Sequence, residues 1–435
     1  MLTNITNRLD LVTRGWLTLL SGTIARFALS FLAGVLLART LGPTGYGTYS
    51  LIGAFVGIVA VISDFGLSQT IVKEVASNRD QHPEIALTRA RVFYWLRIGL
   101  AGVATCFVIV GSGLISEGWL GLPGMAGLLS LAALGLVVSA LNGSMSALFQ
   151  SIERFDRISI VMLVTAGAET LVALLLAATG QLSLTSAILG ISIGTTLLGF
   201  IVGVHYLKTD WTITVGRPTT FPGLKSLCTE SSSLFRFGLW LWLANILTIV
   251  GARLDLFLVS YWLSPVDVGL YVLALNLSYK LNFVNHSLYP ALIPAASALK
   301  DRDAVRQYLG KGIIRSSAIG IVVLLVIPLA TWLVPWIYGS PYRGTVDLLQ
   351  MLSLIVVLDT FALPIRLLFY TFDRSDIPIW EGFAQVSVFL FASFWLIPLW
   401  GTTGAVASRL CGHLAGMIIT FGLISKEYVK MAYSQ

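Results

Sequence analysis

Residues 159–206 read SIVMLVTAGAETLVALLLAATGQLSLTSAILGISIGTTLLGFIVGVHY, and Glu169 is the only Asp, Glu, Lys or Arg among them. Two apolar runs, 159–180 and 184–206, flank a short polar turn. Each has the length of roughly 20 residues that a helix needs to cross a hydrocarbon core about 30 Å thick. The same pattern recurs along the chain. The 435 residues are 56% apolar and 11% charged, with a mean hydropathy of +0.85. A soluble domain is usually about a quarter charged, so soluble multidomain architectures are excluded. Disorder is excluded by the high hydrophobicity, and collagen by the lack of a strict glycine period.

Reading outward with the same ruler predicts an all-α polytopic membrane protein of about 12 spans. They fall near 15–38, 47–70, 92–115, 120–147, 159–180, 184–206, 237–262, 267–292, 316–337, 345–371, 378–400 and 402–425. Lys and Arg decide the orientation. Twenty lie in the terminal segments and loops of one side, against two, Arg39 and Arg343, on the other. Both termini are therefore expected in the cytoplasm, and the formal charge of +7 reflects membrane sidedness and not nucleic-acid binding. The polar opening MLTNITNRLDLVTRGW reads as a cytoplasmic start, not a removed signal peptide.

LGPTGYGTYSL from Leu41 and LSPVDVGLYVL from Leu263 agree at Leu41/Leu263, Pro43/Pro265, Gly47/Gly269, Tyr49/Tyr271 and Leu51/Leu273. Each copy joins the first and second spans of a six-span half. An even number of spans makes the halves parallel, which predicts a pseudo-two-fold axis along the membrane normal. The expected lobes are 1–220 and 221–435. The linker, about 207–236, carries Pro218, Pro222, Gly223 and Ser231–Ser233, and is expected to form a connector with a short surface helix. A second cytoplasmic segment, SALKDRDAVRQYLGKGIIR, has mixed charges at helical spacing and reads as a solvated or interfacial helix.

Four stretches carry a family resemblance: LLARTLGPTGYGTYSL, ISDFGLSQTIVKEV, ARLDLFLVSYWLSPVDVGLYVLALNLS and LYPALIPAASALKDRD. The chain resembles the bacterial oligosaccharide flippases of the superfamily that also holds multidrug and peptidoglycan-precursor exporters. The resemblance implies two six-helix lobes around a cavity opening alternately to either side, lined by the first, second, seventh and eighth spans. It implies a polyprenyl-diphosphate-linked oligosaccharide as cargo, the cytoplasmic (inner) membrane as location, and glycosyltransferases and a polysaccharide polymerase as working partners. An ion-coupled multidrug exporter is the alternative.

An ionisable side chain inside the bilayer is costly and is a functional hypothesis by default. Arg26 and Lys280 lie near the middle of the first and eighth spans and are the expected ligands of the diphosphate, Arg through its two-pronged geometry and Lys as a point charge. Arg97, Arg253, Arg366 and Arg409 lie nearer span ends, where snorkelling to the interface competes with a ligand role. Of the intramembrane acids Asp64, Glu169, Asp255 and Asp359, the expected counter-charges or proton-titrating groups are Glu169 and Asp359, with structural helix–helix bonding as the competing role. Asp359 and Arg366 are seven apart, about 10 Å along the axis, which argues against direct pairing. Asn282, Asn285 and His286 follow Lys280 as cavity or packing groups. Trp16, Trp119, Trp262, Trp336 and Trp400 fit an interfacial belt. Cys106, Cys228 and Cys411 have no metal or redox spacing. Neither a metal site, a cofactor nor a catalytic residue is expected, and no paired-carboxylate cluster supports a membrane glycosyltransferase or polymerase.

Overall fold

A computed structural model describes residues 2–79, 81–214, 232–299 and 301–433. The surface helix expected in the 207–236 linker falls largely on 215–231, outside the described residues. Those residues are helical apart from short connections, with no strand among them. Seven described helices are long and apolar enough to cross a membrane, and the chain is a multi-pass membrane protein. Phe107, Leu325, Phe391 and Ile418 are each more than 60% exposed, as lipid-facing side chains must be.

The first compact unit runs from Met1 to Arg253. Its helices are α1 (Leu2–Asp64), α2 (Leu67–Asn78), α3 (Pro83–Val110), α4 (Ala126–Ser151), α5 (Phe155–Ala178) and α6 (184–214). The first repeat copy sits at a break inside α1, where Gly42 has φ 68° and ψ 178° and Pro43 follows. Such a conformation is open essentially to glycine alone, and proline suits the first turn of the helix that resumes. The second span was expected to run to residue 70. The chain instead leaves the helix at Phe65 and Gly66, both with positive φ, and turns into α2. That helix buries Leu67, Ile71 and Val75 against Phe93 of α3 and Phe149 of α4. Small residues let the other helices approach: Gly22 meets Ser159, Gly199 meets Thr165, and Gly203 meets Met145. Within α6, Ala187–Gly194 is a π-helix.

The second unit runs from Leu254 to Gln435. It takes in the end of α7 (Ser232–Trp262), then α8 (Pro265–Ser297), α9 (Arg302–Tyr338), α10 (Thr345–Arg366) and α11 (Ile377–Tyr433). At the second repeat copy the turn is closed by a capping box. Ser264 Oγ accepts from the Asp267 amide at 3.3 Å, and the Ser264 amide donates to Asp267 Oδ2 at 3.2 Å. α9 has 37 residues, about 55 Å at 1.5 Å per residue, far more than a hydrocarbon core requires. Its first turns are the mixed-charge segment expected to be solvated, capped by Asp301 on the Ala304 amide at 2.7 Å. α11 is broken at Gly401, with φ 61° and ψ −135°, so its two arms fold against each other. Gly412 lies over the Gln385 carbonyl.

Candidate functional site

In the second unit, α10 and α11 bring charged groups to one place, and α8 adds polar amides beside them. The Arg366 guanidinium pairs with Asp359 at 3.0 Å and also with Glu381. His413 Nδ1 stands 3.6 Å from Asp359 Oδ1, and its Nε2 is 2.8 Å from the Gln385 amide nitrogen. With that amide donating, Nε2 accepts and the imidazole proton sits on Nδ1, facing Asp359. Thr420 donates to Glu381 at 2.8 Å. Beside the cluster, Thr360 donates to Asn285 Oδ1 at 2.7 Å, and Asn285 donates to Asn282 Oδ1 at 2.7 Å. A cavity of about 230 Å³ is lined by Asp359, Arg366, Glu381, Asn282 and Asn285 among others. Two carboxylates thus face one guanidinium there.

The pairing of Asp359 with Arg366 corrects the expectation drawn from axial distance. Helical side chains lean toward the N-terminus, so the long Arg366 chain runs back along α10 and covers the two turns. Snorkelling is corrected as well for three of the four near-end arginines. Arg97 reaches Asp64 at 2.7 Å and Ser144 at 3.2 Å, its guanidinium lying over Gly143 where a Cβ would stand. Arg409 pairs with Asp255 and donates to Tyr279 at 3.1 Å. Tyr271, fully buried, donates to the same carboxylate oxygen, Asp255 Oδ2, 2.9 Å away. Each arginine finds an acid on another segment because a desolvated partner outcompetes a distant interface. Arg253 is half-buried and forms no ion pair among the described residues.

In the first unit, Glu169 on α5 accepts from Ser30 at 3.3 Å, and the neighbouring Thr170 donates to the Leu29 carbonyl at 2.9 Å, so α1 and α5 are laced together there. Arg26 is exposed on α1 and acts on Glu169 electrostatically without forming a close pair. A second cavity, of about 310 Å³, opens beside Tyr49 on α1, whose hydroxyl is 2.7 Å from that of Ser192 on α6. Lys280 is half-buried on α8. Neither Arg26 nor Lys280 is among the residues lining the two cavities, whereas Asp359 is. The side chain of His286 lies outside the described residues. Glu381, His413 and Tyr49 were missed as site residues. The signal for the first two was present, since both are ionisable groups within expected spans. Among the described residues no group of three or more His, Cys, Asp or Glu could hold a metal ion.

Residues 36–347 match a family described as polysaccharide biosynthesis protein. The chain belongs to that family. Among its curated relatives, the lipopolysaccharide biosynthesis protein WzxC of Escherichia coli K12 is 24% identical over 95% of this chain and 80% of its own length. A Shigella flexneri protein named as an O-antigen transporter is 23% identical over 86% and 88%. Solved structures share the fold. The lipid II flippase MurJ, inward closed, aligns with a TM-score of 0.71 at 12% identity over 95% of this chain and 90% of that one. An inward-facing MATE multidrug resistance transporter gives 0.69 at 14% identity over 95% and 99%. This polysaccharide biosynthesis protein thus shares the all-helical fold of these solved structures.

Proposed function

We propose that this family member is a flippase that moves a polyprenyl-diphosphate-linked oligosaccharide across the cytoplasmic membrane by alternating access. What carries the reading is correspondence over nearly the whole chain with relatives named for O-antigen transport and lipopolysaccharide biosynthesis, on a fold shared with a lipid II flippase. It performs no covalent chemistry. The twenty-to-two bias of Lys and Arg supports cytoplasmic termini, and glycosyltransferases and a polymerase are its working partners.

Arg26 of the first unit and Lys280 of the second each offer a cation to the diphosphate. The carboxylates give the counter-charge. Glu169 tempers Arg26, and Asp359, clustered with Arg366 and Glu381, is the group assigned to coupling transport to a cation. The multidrug reading has one supporting observation, the paired carboxylates Asp359 and Glu381 lining one cavity. Arg366 already occupies both, and the sequence relatives point to polysaccharide units.

The test is translocation of a fluorescent lipid-linked oligosaccharide in proteoliposomes. Arg26→Ala combined with Lys280→Ala is expected to lower the rate at least tenfold. An unchanged rate removes the charge role, and wild-type protein that moves cationic drugs but no lipid-linked sugar removes the flippase reading.

A further inference from the structure

The 310 Å³ cavity of the first unit is walled by the second arm of α1, by α4 and by the π-helical part of α6. Gly53 and Gly57 stand one turn apart on α1, with Gly135 facing from α4. Spacing of this kind ordinarily marks a helix-packing seam. Here a Cβ built on Gly53 or Gly57 meets nothing within 4 Å. These glycines hold volume open; they do not seat a neighbour.

The polar lining has a definite character. Hydroxyls converge from Tyr49, Ser50, Ser139, Ser192 and Thr196, and none of the described lining residues is charged. Hydroxyl residues in this bundle commonly bond back to their own helix, as Thr48 does to Thr44 at 3.0 Å and Thr165 to Val161 at 2.9 Å. Ser50 and Ser139 make no such bond to any described residue, so their hydroxyls are available to a guest. The volume lies at the lower end of the roughly 300–1,000 Å³ of small-molecule sites, enough for one ring and not for a chain of them. Thr196 bonds back to the Ser192 carbonyl at 2.7 Å, and the Tyr49 and Ser192 hydroxyls bond each other, but an apolar tail has no use for the remaining two. A neutral pyranose, with C–H faces and a hydroxylated edge, uses both parts of the lining.

Position supports the same guest. The first arm of α1 carries Arg26, the cation assigned to the diphosphate, and its second arm walls the cavity. A lining without a charged residue also leaves the carboxylate of an acidic sugar without a partner. We propose that this cavity binds one neutral, hydroxylated sugar ring of the cargo, next to its diphosphate. The proposal rests on the flippase reading and adds where, and for which sugars, the chain discriminates.

Full-length protein in nanodiscs would be titrated with four probes: a polyprenyl-diphosphate-linked neutral hexose, the corresponding uronic acid, bare polyprenyl diphosphate, and polyprenol. Wild type is expected to bind the neutral hexose compound at least tenfold more tightly than the uronic acid or the bare diphosphate. Gly57→Leu, which fills the open space, should bring the hexose compound down to the bare diphosphate while leaving the latter unchanged. The Ser50→Ala/Ser139→Ala double variant, which leaves packing intact, should weaken the hexose compound several-fold and nothing else, and it decides the matter if Gly57→Leu does not fold. The proposal is overturned if these variants bind the hexose compound like wild type, or if Gly57→Leu loses polyprenol as well, which would make the cavity a lipid-tail site. If wild type binds none of the three diphosphate lipids, the flippase reading itself falls, a pattern distinct from loss of sugar preference alone.

Discussion

Asp255 is 1% exposed and is held on three sides, by Arg409, by the Tyr271 hydroxyl and by the Leu256 amide. An ion buried this way is costly once its partner is removed. Arg409→Met or Asp255→Leu alone should therefore destabilise the protein by on the order of 3–5 kcal/mol, while the two together should cost much less. Thermal denaturation in one detergent would resolve the difference, and equal losses for single and double variants would show that the pair is not coupled. Outside the membrane, Lys430 and Arg374 hold the Glu427 carboxyl below its usual range, and Arg374 does the same for Asp376. A carboxylate whose folded value is lowered contributes stability above its unfolded value, near pH 4, and loses it as pH falls through the folded one. Hydrogen-exchange protection around 372–377 and at the end of α11, taken relative to the intrinsic rate at each pH, should fall below about pH 4 and stay flat from pH 5 to 7. These pairings mark where sequence reading stops. That Asp359 lies deep in a span was legible, whereas Arg366 read as near a span end. That they touch was not legible, because axial arithmetic leaves out side-chain lean and reach. That Glu381 and His413 join them depends on how the two arms of α11 pack once the chain turns at Gly401; the expected spans 378–400 and 402–425 contained the turn but not that pairing.

At the scale of helices, glycine plays three roles that composition alone merges. Gly42 supplies a conformation closed to other residues, so Gly42→Ala should cost about 1–3 kcal/mol and blur the break in α1. Gly404 has the Leu396 carbonyl where a Cβ would go, so Gly404→Ala should lower the melting temperature sharply. Gly57→Ala meets open space and should leave it unchanged or raise it slightly, through reduced freedom of the unfolded chain. Differential scanning fluorimetry of the three variants would separate the roles, and a drop for Gly57→Ala would mean that its open face is filled. The repeat around Pro43 and Pro265 was readable because proline, glycine and capping residues act locally. The break at Phe65 was not, since a positive φ at phenylalanine is imposed by the packing of α2.

For the whole molecule, hydropathy alone pointed to a polytopic helical protein, because a chain with 11% charged residues has too few to clothe a water-soluble surface. The basic residues predict an orientation. A cysteine at Arg343, in a background without native cysteines, should react with a membrane-impermeant maleimide added to intact cells. One at Arg302 should react only after lysis. The reverse pattern would invert the topology and with it the direction of transport.

The π-helical stretch of α6 has a consequence for how this chain tolerates length changes. Its i→i+5 bonding lodges a surplus residue in a turn that an ordinary helix would close without it. Excising one residue between Ala187 and Gly194 therefore lets the turn tighten while the flanks stay in phase. The same excision in α4 or α5 would rotate every later side chain by about 100° and turn lipid-facing groups inward.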